Sequence, residues 1–375
     1  MAGASLDEFD AIVVGGGPAG STCAWQAERL GLRVALLDAK QFPRDKVCAG
    51  WVTPQILAEL ELDAHEYAAG GRVIQPIRGF EVSLAGGKPA RVTYPEVVSY
   101  GILRCELDAY LLGRSGAKLF LGEPLRTLAR DSGAWVVNGA LRAPVLVGAG
   151  GHFCPVSRQL APDARATEPV IAAQEVEFAL DAEQARRCPV SPEVPELFFE
   201  RDLRGYAWLV RKGPVLNVGI GRQDTHDLSG HAQRFLALCE SLGKLPPRTP
   251  PKRHGHAYVL YGQTPRPLAG DGFVLVGDSA GLAWPQSGEG IRPAVESGLL
   301  AARALAAQDL ESYARAMEAR FGPRDRPLGP GLSDHLPARI RPWLVEKLLG
   351  NALFARRVVV DGWFLHRGQA ALPSR

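Results

Sequence analysis

Residues 9–38 constrain this chain more than any other stretch. A short apolar run (Phe9, Ala11, Ile12, Val13, Val14) leads into Gly15-Gly16-Gly17-Pro18-Ala19-Gly20. A helix-like segment to Leu30, a second apolar run from Val34 to Leu37, and Asp38 follow. Strand, glycine turn, helix, strand and acid, in that order, spell a dinucleotide-binding βαβ unit. Gly15 permits the tight turn, Gly17 lets a pyrophosphate approach the backbone, and Gly20 lets the helix lie close to the strand. Pro18 and Ala19 open the helix, whose free N–H groups and positive dipole end suit phosphates. Asp38, eighteen residues beyond Gly20, is placed to accept hydrogen bonds from ribose hydroxyls. The cofactor contacts expected here are Gly15, Gly17, Pro18, Ala19, Gly20 and Asp38.

The remaining composition excludes several classes. The fingerprint begins almost at Met1, so no signal or transit peptide is expected ahead of it. No apolar run is long enough to cross a bilayer. The six cysteines (Cys23, Cys48, Cys105, Cys154, Cys188, Cys239) are scattered without zinc-type spacing, so reduced thiols in a cytoplasm are expected rather than a disulfide scaffold. His254 and His256 share a face of one expected strand, too few ligands for a metal. A net charge of +3 over 375 residues gives no nucleic-acid surface. The length suits two or three subdomains.

NAD and FAD are separated by the rest of the chain. A dehydrogenase would continue with alternating strands and helices. Here the segment QFPRDKVCAGWVT (41–53) is loop-like, and strand-like stretches follow at Gly79–Leu84 and Ala90–Tyr94. Much later, a buried strand at Phe273–Val276 leads to Gly277-Asp278, a loop with Pro285, and a helix starting near Gly288–Ile291. An acid at a strand end can hold a ribitol hydroxyl. A helix N-terminus aimed at a flavin pyrimidine would stabilise the negative charge that gathers there on reduction. Two distant nucleotide-facing segments suit the longer cofactor, FAD.

Together, GGGPAG, PRDKVCAGW, YGILRCELDAYL, GYAWLV and VGDSAGLAWPQSGEGIRPAVESG resemble the geranylgeranyl reductase family, flavoproteins of the para-hydroxybenzoate hydroxylase fold, over roughly residues 8–320. The resemblance implies an α/β fold: a Rossmann-type FAD-binding domain, an inserted β-sheet substrate domain and a C-terminal helical piece. It implies that Arg104 contacts the cofactor and that Cys48, Ala49 and Gly50 lie beside the isoalloxazine. It implies that Gly277, Asp278, Pro285, Gly288, Gly290 and Ile291 close the flavin site. Arg44 and Lys46 are candidates to neutralise cofactor phosphates. Cys48 is the candidate catalytic residue, orienting substrate or supplying a proton, although a small soft side chain often serves packing alone. Tyr206 and Trp208 alternate with Ala207 and so share one strand face, where they could wall an apolar substrate cavity or pack in a core.

One position departs from related hydroxylases, which carry an Asp-Gly pair after a mid-chain strand. Here Pro144–Val147 runs into Gly148-Ala149-Gly150-Gly151, with Gly150 where the aspartate is usual. That aspartate is associated with FAD and NADPH handling, so the donor stays open between NADPH and a ferredoxin-type protein. Two flavin chemistries compete with reduction. A monooxygenase would keep the aspartate, and a tryptophan halogenase of this fold would carry WxWxIP, which is missing. A serine hydrolase is the rival from another class. Gly277-Asp278-Ser279-Ala280-Gly281 matches G-x-S-x-G, with Asp334 and His335 downstream. Pro285 delays the following helix, no HGGG-like segment precedes, and a hydrolase leaves residues 15–38 unexplained.

Residues 321–375 begin with a Pro/Gly-rich linker (Gly322, Pro323, Pro327, Gly329, Pro330). Leu344, Leu348, Leu349 and Leu353 then fall at helical spacing among arginines. Helices packed on the substrate domain are expected, with a membrane-surface or lid element as the sharper alternative. The expected division is an FAD-binding domain at 1–75, 101–160 and 268–320, a substrate domain at 76–100 and 161–267, and a helical segment at 321–375. The expected reaction is hydride transfer to a carbon–carbon double bond of an apolar, isoprenoid-like substrate.

Overall fold

The structure, a computed structural model, describes residues 6–223, 226–246, 250, 252–324 and 341–373. The chain packs into two compact units, each assembled from three segments. The first takes Met1–Asp45, Cys105–Pro169 and Tyr258–Pro327, and the second Lys46–Arg104, Val170–Ala257 and Leu328–Arg375.

The first unit is built on a six-stranded sheet in the order Ala269–Gly270, Phe273–Leu275, Val145–Gly148, Ala11–Val14, Val34–Asp38, Lys118–Leu121. The last five pair in parallel, and Ala269–Gly270 adds an antiparallel edge. Strands of a parallel sheet are covered on both faces, which is why Ala11–Val14 and Val34–Leu37 are uninterrupted apolar runs and wholly buried. Helix Pro18–Arg29 starts with Pro18 at its first position, where a missing N–H removes no helical bond. Its Cys23, Ala24 and Ala27 are buried. Helix Ile291–Ala306 meets it at Gly298, where an added Cβ would lie 2.5 Å from the Ala19 oxygen. A four-stranded sheet of Asp7–Glu8, Leu141–Ala143, Ala134–Val137 and Leu128–Asp131 completes this unit.

The second unit contains a seven-stranded sheet in the order His254–Val259, Val170–Ala179, Val215–Arg222, Gly205–Lys212, Glu196–Phe199, Gly79–Leu84, Ala90–Thr93. Its central pairs are antiparallel, and Glu196–Phe199 runs parallel to Gly79–Leu84. Helix Leu228–Ser241 covers one face, packing Ala232, Phe235 and Cys239 on Val176, Leu209, Leu216, Val218 and Ile220. Because strand side chains alternate, Glu175, Glu177, Trp208, Lys212 and Asn217 belong to the opposite face.

The C-terminal stretch is helical, as expected, but not one amphipathic face. Helix Arg341–Leu349 ends before Gly350, and Asn351 starts a new turn by accepting from the Leu353 and Phe354 N–H groups. The leucine stripe is split: Leu349 is buried, whereas Leu348 and Leu353 are exposed. A ten-residue π-helix, Ala355–Phe364, follows. Of the linker residues singled out above, Pro327, Gly329 and Pro330 lie outside the described residues, as do Asp334 and His335.

Candidate cofactor site and the Cys48 loop

The fingerprint glycines divide by what demands them. Gly15 has φ +117°, and a Cβ there would overlap the Ala149 oxygen. A Cβ on Gly20 would overlap the Gly15 oxygen. These two glycines are required by the chain itself. Gly17 is different. Its φ of −74° suits any residue, and a Cβ there would meet only the Arg44 guanidinium, at 3.5 Å. No side chain caps helix Pro18–Arg29, for which Gly17 is the N-cap. Space, uncapped N–H groups and a cation therefore coincide at Gly17.

Asp38 closes the turn from the second strand. Its Oδ2 accepts from Gly16 N at 2.7 Å and its Oδ1 from Lys40 N at 2.8 Å. Each oxygen keeps lone-pair capacity for a hydroxyl. Arg44 stacks on Phe42 and is held by Asp108, a fully buried carboxylate 3.3 Å from Nη1. Sequence reading missed Asp108, which looks like an ordinary polar position of the helix Arg104–Gly113. Asp108→Asn is expected to free Arg44 and weaken flavin binding severalfold with little loss of fold, measured by flavin titration. Arg104 is buried at the first position of the same helix.

The late segment reaches the same unit. Strand Phe273–Leu275 leads into a 3₁₀ turn, Gly277–Ser279. Gly277 has φ +59°, and a Cβ there would lie 3.0 Å from the Ala19 Cβ, so the turn packs on the fingerprint helix. Asp278 stands beside Gly290, the N-cap of helix Ile291–Ala306, which has no side chain to cap it. Pro285 and Gly288 lie in the half-buried loop between them, with Gly288 close against the Tyr258 hydroxyl. Glu289 reaches into the first turn, accepting from Arg292 N at 2.7 Å, and desolvation pushes its carboxyl up to about 7. The residues fit FAD: an open pyrophosphate cradle at Gly17, a cation, two carboxylates at strand ends and an uncapped helix start at Pro18.

The hydrolase alternative fails on geometry. Ser279 is fully buried, and its hydroxyl donates within 2.6 Å of both the Gly148 and Val276 oxygens. The helix after it starts only at Ile291. Gly150 also has a packing reason: a Cβ there would crowd the Cys154 Cα at 3.0 Å. Asp278→Ala is expected to remove a charge-assisted contact of about 1.5–3 kcal/mol and weaken FAD tenfold or more. Ser279→Ala should lower stability without changing flavin affinity. Flavin titration beside urea unfolding separates the two.

In the second unit the Cys48 loop is gripped by side chains from the sheet. Cys48 N donates to Glu175 Oε1 at 2.9 Å, Asn217 Nδ2 to Cys48 O at 3.2 Å, and Lys212 Nζ to Ala49 O at 3.2 Å. Lys212, fully buried, pairs with Glu177. The half-buried Cys48 thiol accepts from Gly50 N at 3.4 Å. Gly50 has φ +72° and sits against Lys212, a Cβ there lying 2.6 Å from Nζ. Lys46 is half-buried at the loop's start. None of Glu175, Glu177, Lys212 or Asn217 was expected from sequence. Trp208 also belongs to this network, since its indole donates to Asn217 Oδ1 at 2.7 Å and its ring lies over Gly219.

Tyr206 shares the face of Trp208, with ring centroids 5.9 Å apart, and turns instead toward an aromatic cluster. Phe364 of the π-helix stands 5.3 Å from it, Phe199 5.9 Å, and Trp51 lies 6.0 Å from Phe364. Trp363 adds an edge to Phe199. Among the described residues no group of three metal-ligating side chains occurs, and no helix is long and apolar enough to cross a membrane.

Comparison with known proteins identifies FAD-dependent oxidoreductases. The family described as FAD dependent oxidoreductase matches residues 10–85. Menaquinone reductase of Mycobacterium tuberculosis is 30% identical over 336 residues, spanning 81% of this chain and 78% of that protein. Geranylgeranyl diphosphate reductase of Rhodobacter capsulatus is 29% identical, spanning 79% of this chain and 75% of that protein. The solved structure of a geranylgeranyl bacteriochlorophyll reductase-like protein from Thermoplasma acidophilum shares the fold, with a TM-score of 0.77, 20% identity, and coverage of 97% and 99% of the two chains. These relatives place the chain in the geranylgeranyl reductase family of FAD-dependent oxidoreductases.

Proposed function

We propose that this oxidoreductase reduces a carbon–carbon double bond in an apolar, isoprenoid-like substrate. The observation that carries the reading is the aromatic cluster of Trp51, Phe199, Tyr206, Trp363 and Phe364, built on the same unit as the Cys48 loop. Its support is the naming of relatives for menaquinone and geranylgeranyl diphosphate, both isoprenoid compounds. In this reading the first unit holds the cofactor and the second receives the substrate. FAD, when bound, supplies the hydride.

The chain's own residues do the rest. Gly17, the uncapped helix start and Arg44 hold the pyrophosphate, and Asp38 and Asp278 hold sugar hydroxyls. Lys46, Ala49, Gly50 and Arg104 are assigned to the cofactor's reacting end. Cys48 orients the substrate or returns a proton to the second carbon. Tyr206 and its aromatic neighbours exclude water and bind the prenyl chain by apolar burial, at about 25 cal/mol per Å². With Gly150 in place of an aspartate, NADPH delivery in the hydroxylase manner lacks its usual residue, and a ferredoxin-type donor stands beside NADPH. The protein is taken as cytoplasmic with peripheral membrane contact. Exposed Trp343, Leu348 and Leu353 stand among exposed Lys347, Arg356 and Arg357, a mixture suited to an anionic lipid surface.

Tyr206→Ala tests the substrate assignment. The expected result is a KM for a geranylgeranyl compound raised about tenfold with flavin affinity unchanged, because the lost area is apolar and Tyr206 is not among the residues assigned to the cofactor. An unchanged KM would leave the cluster as core alone.

A further inference from the structure

We propose that Glu175 is a positioning residue for the Cys48 loop and does this in its protonated form, as a neutral carboxyl beside the Lys212–Glu177 pair. Its consequence for catalysis rests on the reading that Cys48 serves the reacting end of the cofactor. Its charge state does not.

Glu175 lies on strand Val170–Ala179, on the face away from helix Leu228–Ser241, and is 6% exposed. Donors and acceptors around it do not balance if it is ionised. The Asn217 amide has a fixed orientation, because the Trp208 indole can only donate and does so to Oδ1. Two N–H groups on Nδ2 then face three acceptors: Cys48 O at 3.2 Å, Glu175 Oε2 at 3.2 Å and Glu177 Oε2 at 2.8 Å. A proton on Glu175 turns one competing acceptor into a donor and removes the mismatch.

Charge gives the same answer. Two carboxyls share one buried ammonium, Lys212, and an ionised buried carboxylate without its own counter-charge is costly. The charged and titratable groups around Glu175 are Glu177 on its own strand, Lys212 two strands away and the Cys48 thiol on the loop. Toward helix Leu228–Ser241, Arg253 and Glu175 both line one small cavity, and His254 and His256 belong to the edge strand. Burial raises the Glu175 carboxyl above its ordinary range, against the opposing pull of the Cys48 N–H and Lys212.

An acid whose folded pKa is raised binds its proton more tightly folded than unfolded. Its contribution to stability is present below the ordinary glutamate value and is lost as pH rises through the raised one. Glu175→Gln fixes the neutral form. The protein as purified, its flavin content recorded, is unfolded in urea from mildly acidic to mildly alkaline pH. Stability of the Glu175→Gln variant is expected to rise relative to wild type across that window. Alkylation of Cys48 by iodoacetamide, followed by peptide mapping, reads loop position. Glu175→Ala is expected to speed it about tenfold and Glu175→Gln to stay within about twofold of wild type, because the amide keeps an acceptor for the Cys48 N–H. Parallel pH profiles for wild type and Glu175→Gln would overturn the proposal, as would Glu175→Gln alkylation as fast as in an unfolded control. Should Glu175→Ala fail to fold, the glutamine variant alone decides. A colourless wild type would count against the flavin reading and leave the pH comparison standing.

Discussion

Gly17→Val is expected to yield a folded protein that purifies without flavin, its affinity for FAD reduced about a hundredfold or more, which is ~2.7 kcal/mol. Among the described residues nothing forbids a side chain at Gly17: its backbone is ordinary, and an added Cβ meets only the Arg44 guanidinium, at an ordinary contact distance of 3.5 Å. A valine there therefore occupies space that only a ligand needs. Gly20→Val is the matched control. There the added carbon overlaps the Gly15 oxygen, so the variant should fail to fold rather than fold empty. Circular dichroism and the flavin absorption of the two purified variants check both halves. A yellow Gly17→Val protein would remove the cradle from the account.

Lys212→Met should clearly destabilise the second unit and loosen the Cys48 loop. The ammonium is fully buried, holds Ala49 O and pairs with Glu177, while Glu175 stands beside the same network. Removing the buried ammonium leaves the Ala49 oxygen and the partly solvated Glu177 carboxylate without their partner, and about 1–3 kcal/mol is expected. Urea unfolding reads the loss. A companion change, Glu177→Gln in the Lys212→Met background, should recover part of it by removing the stranded charge. No recovery would mean that packing of the lysine stem, not charge, holds the loop.

Much of the first unit was legible in sequence. Residues 9–38 carry a pattern with one structural solution, and Phe273 to Ile291 repeats its logic with a strand, an acid and a late helix. The second unit was less legible. In Val170–Ala179 only Glu175–Phe178 alternates polar and apolar residues, and such alternation reads as a strand with one wet face. Sequence cannot say that a loop covers part of that face and turns Glu175 into a buried group while Glu177 keeps solvent contact. Asn217 and Lys212 were hidden for the same reason, and Trp208, expected as core or cavity wall, is the donor that orients Asn217. The C-terminal leucines misled because helical spacing was counted across Gly350-Asn351, where one helix ends and another is capped.

The most direct measurement of the central claim is a single turnover without oxygen. The flavoprotein is reduced with dithionite, freed of excess reductant, and mixed anaerobically with a geranylgeranyl compound. The account predicts that the oxidised flavin band returns in step with a product carrying two additional hydrogens, and that Tyr206→Ala slows this return at low substrate. A flavin that stays bleached until oxygen is admitted, with product that then carries oxygen or halogen instead of hydrogen, would contradict it.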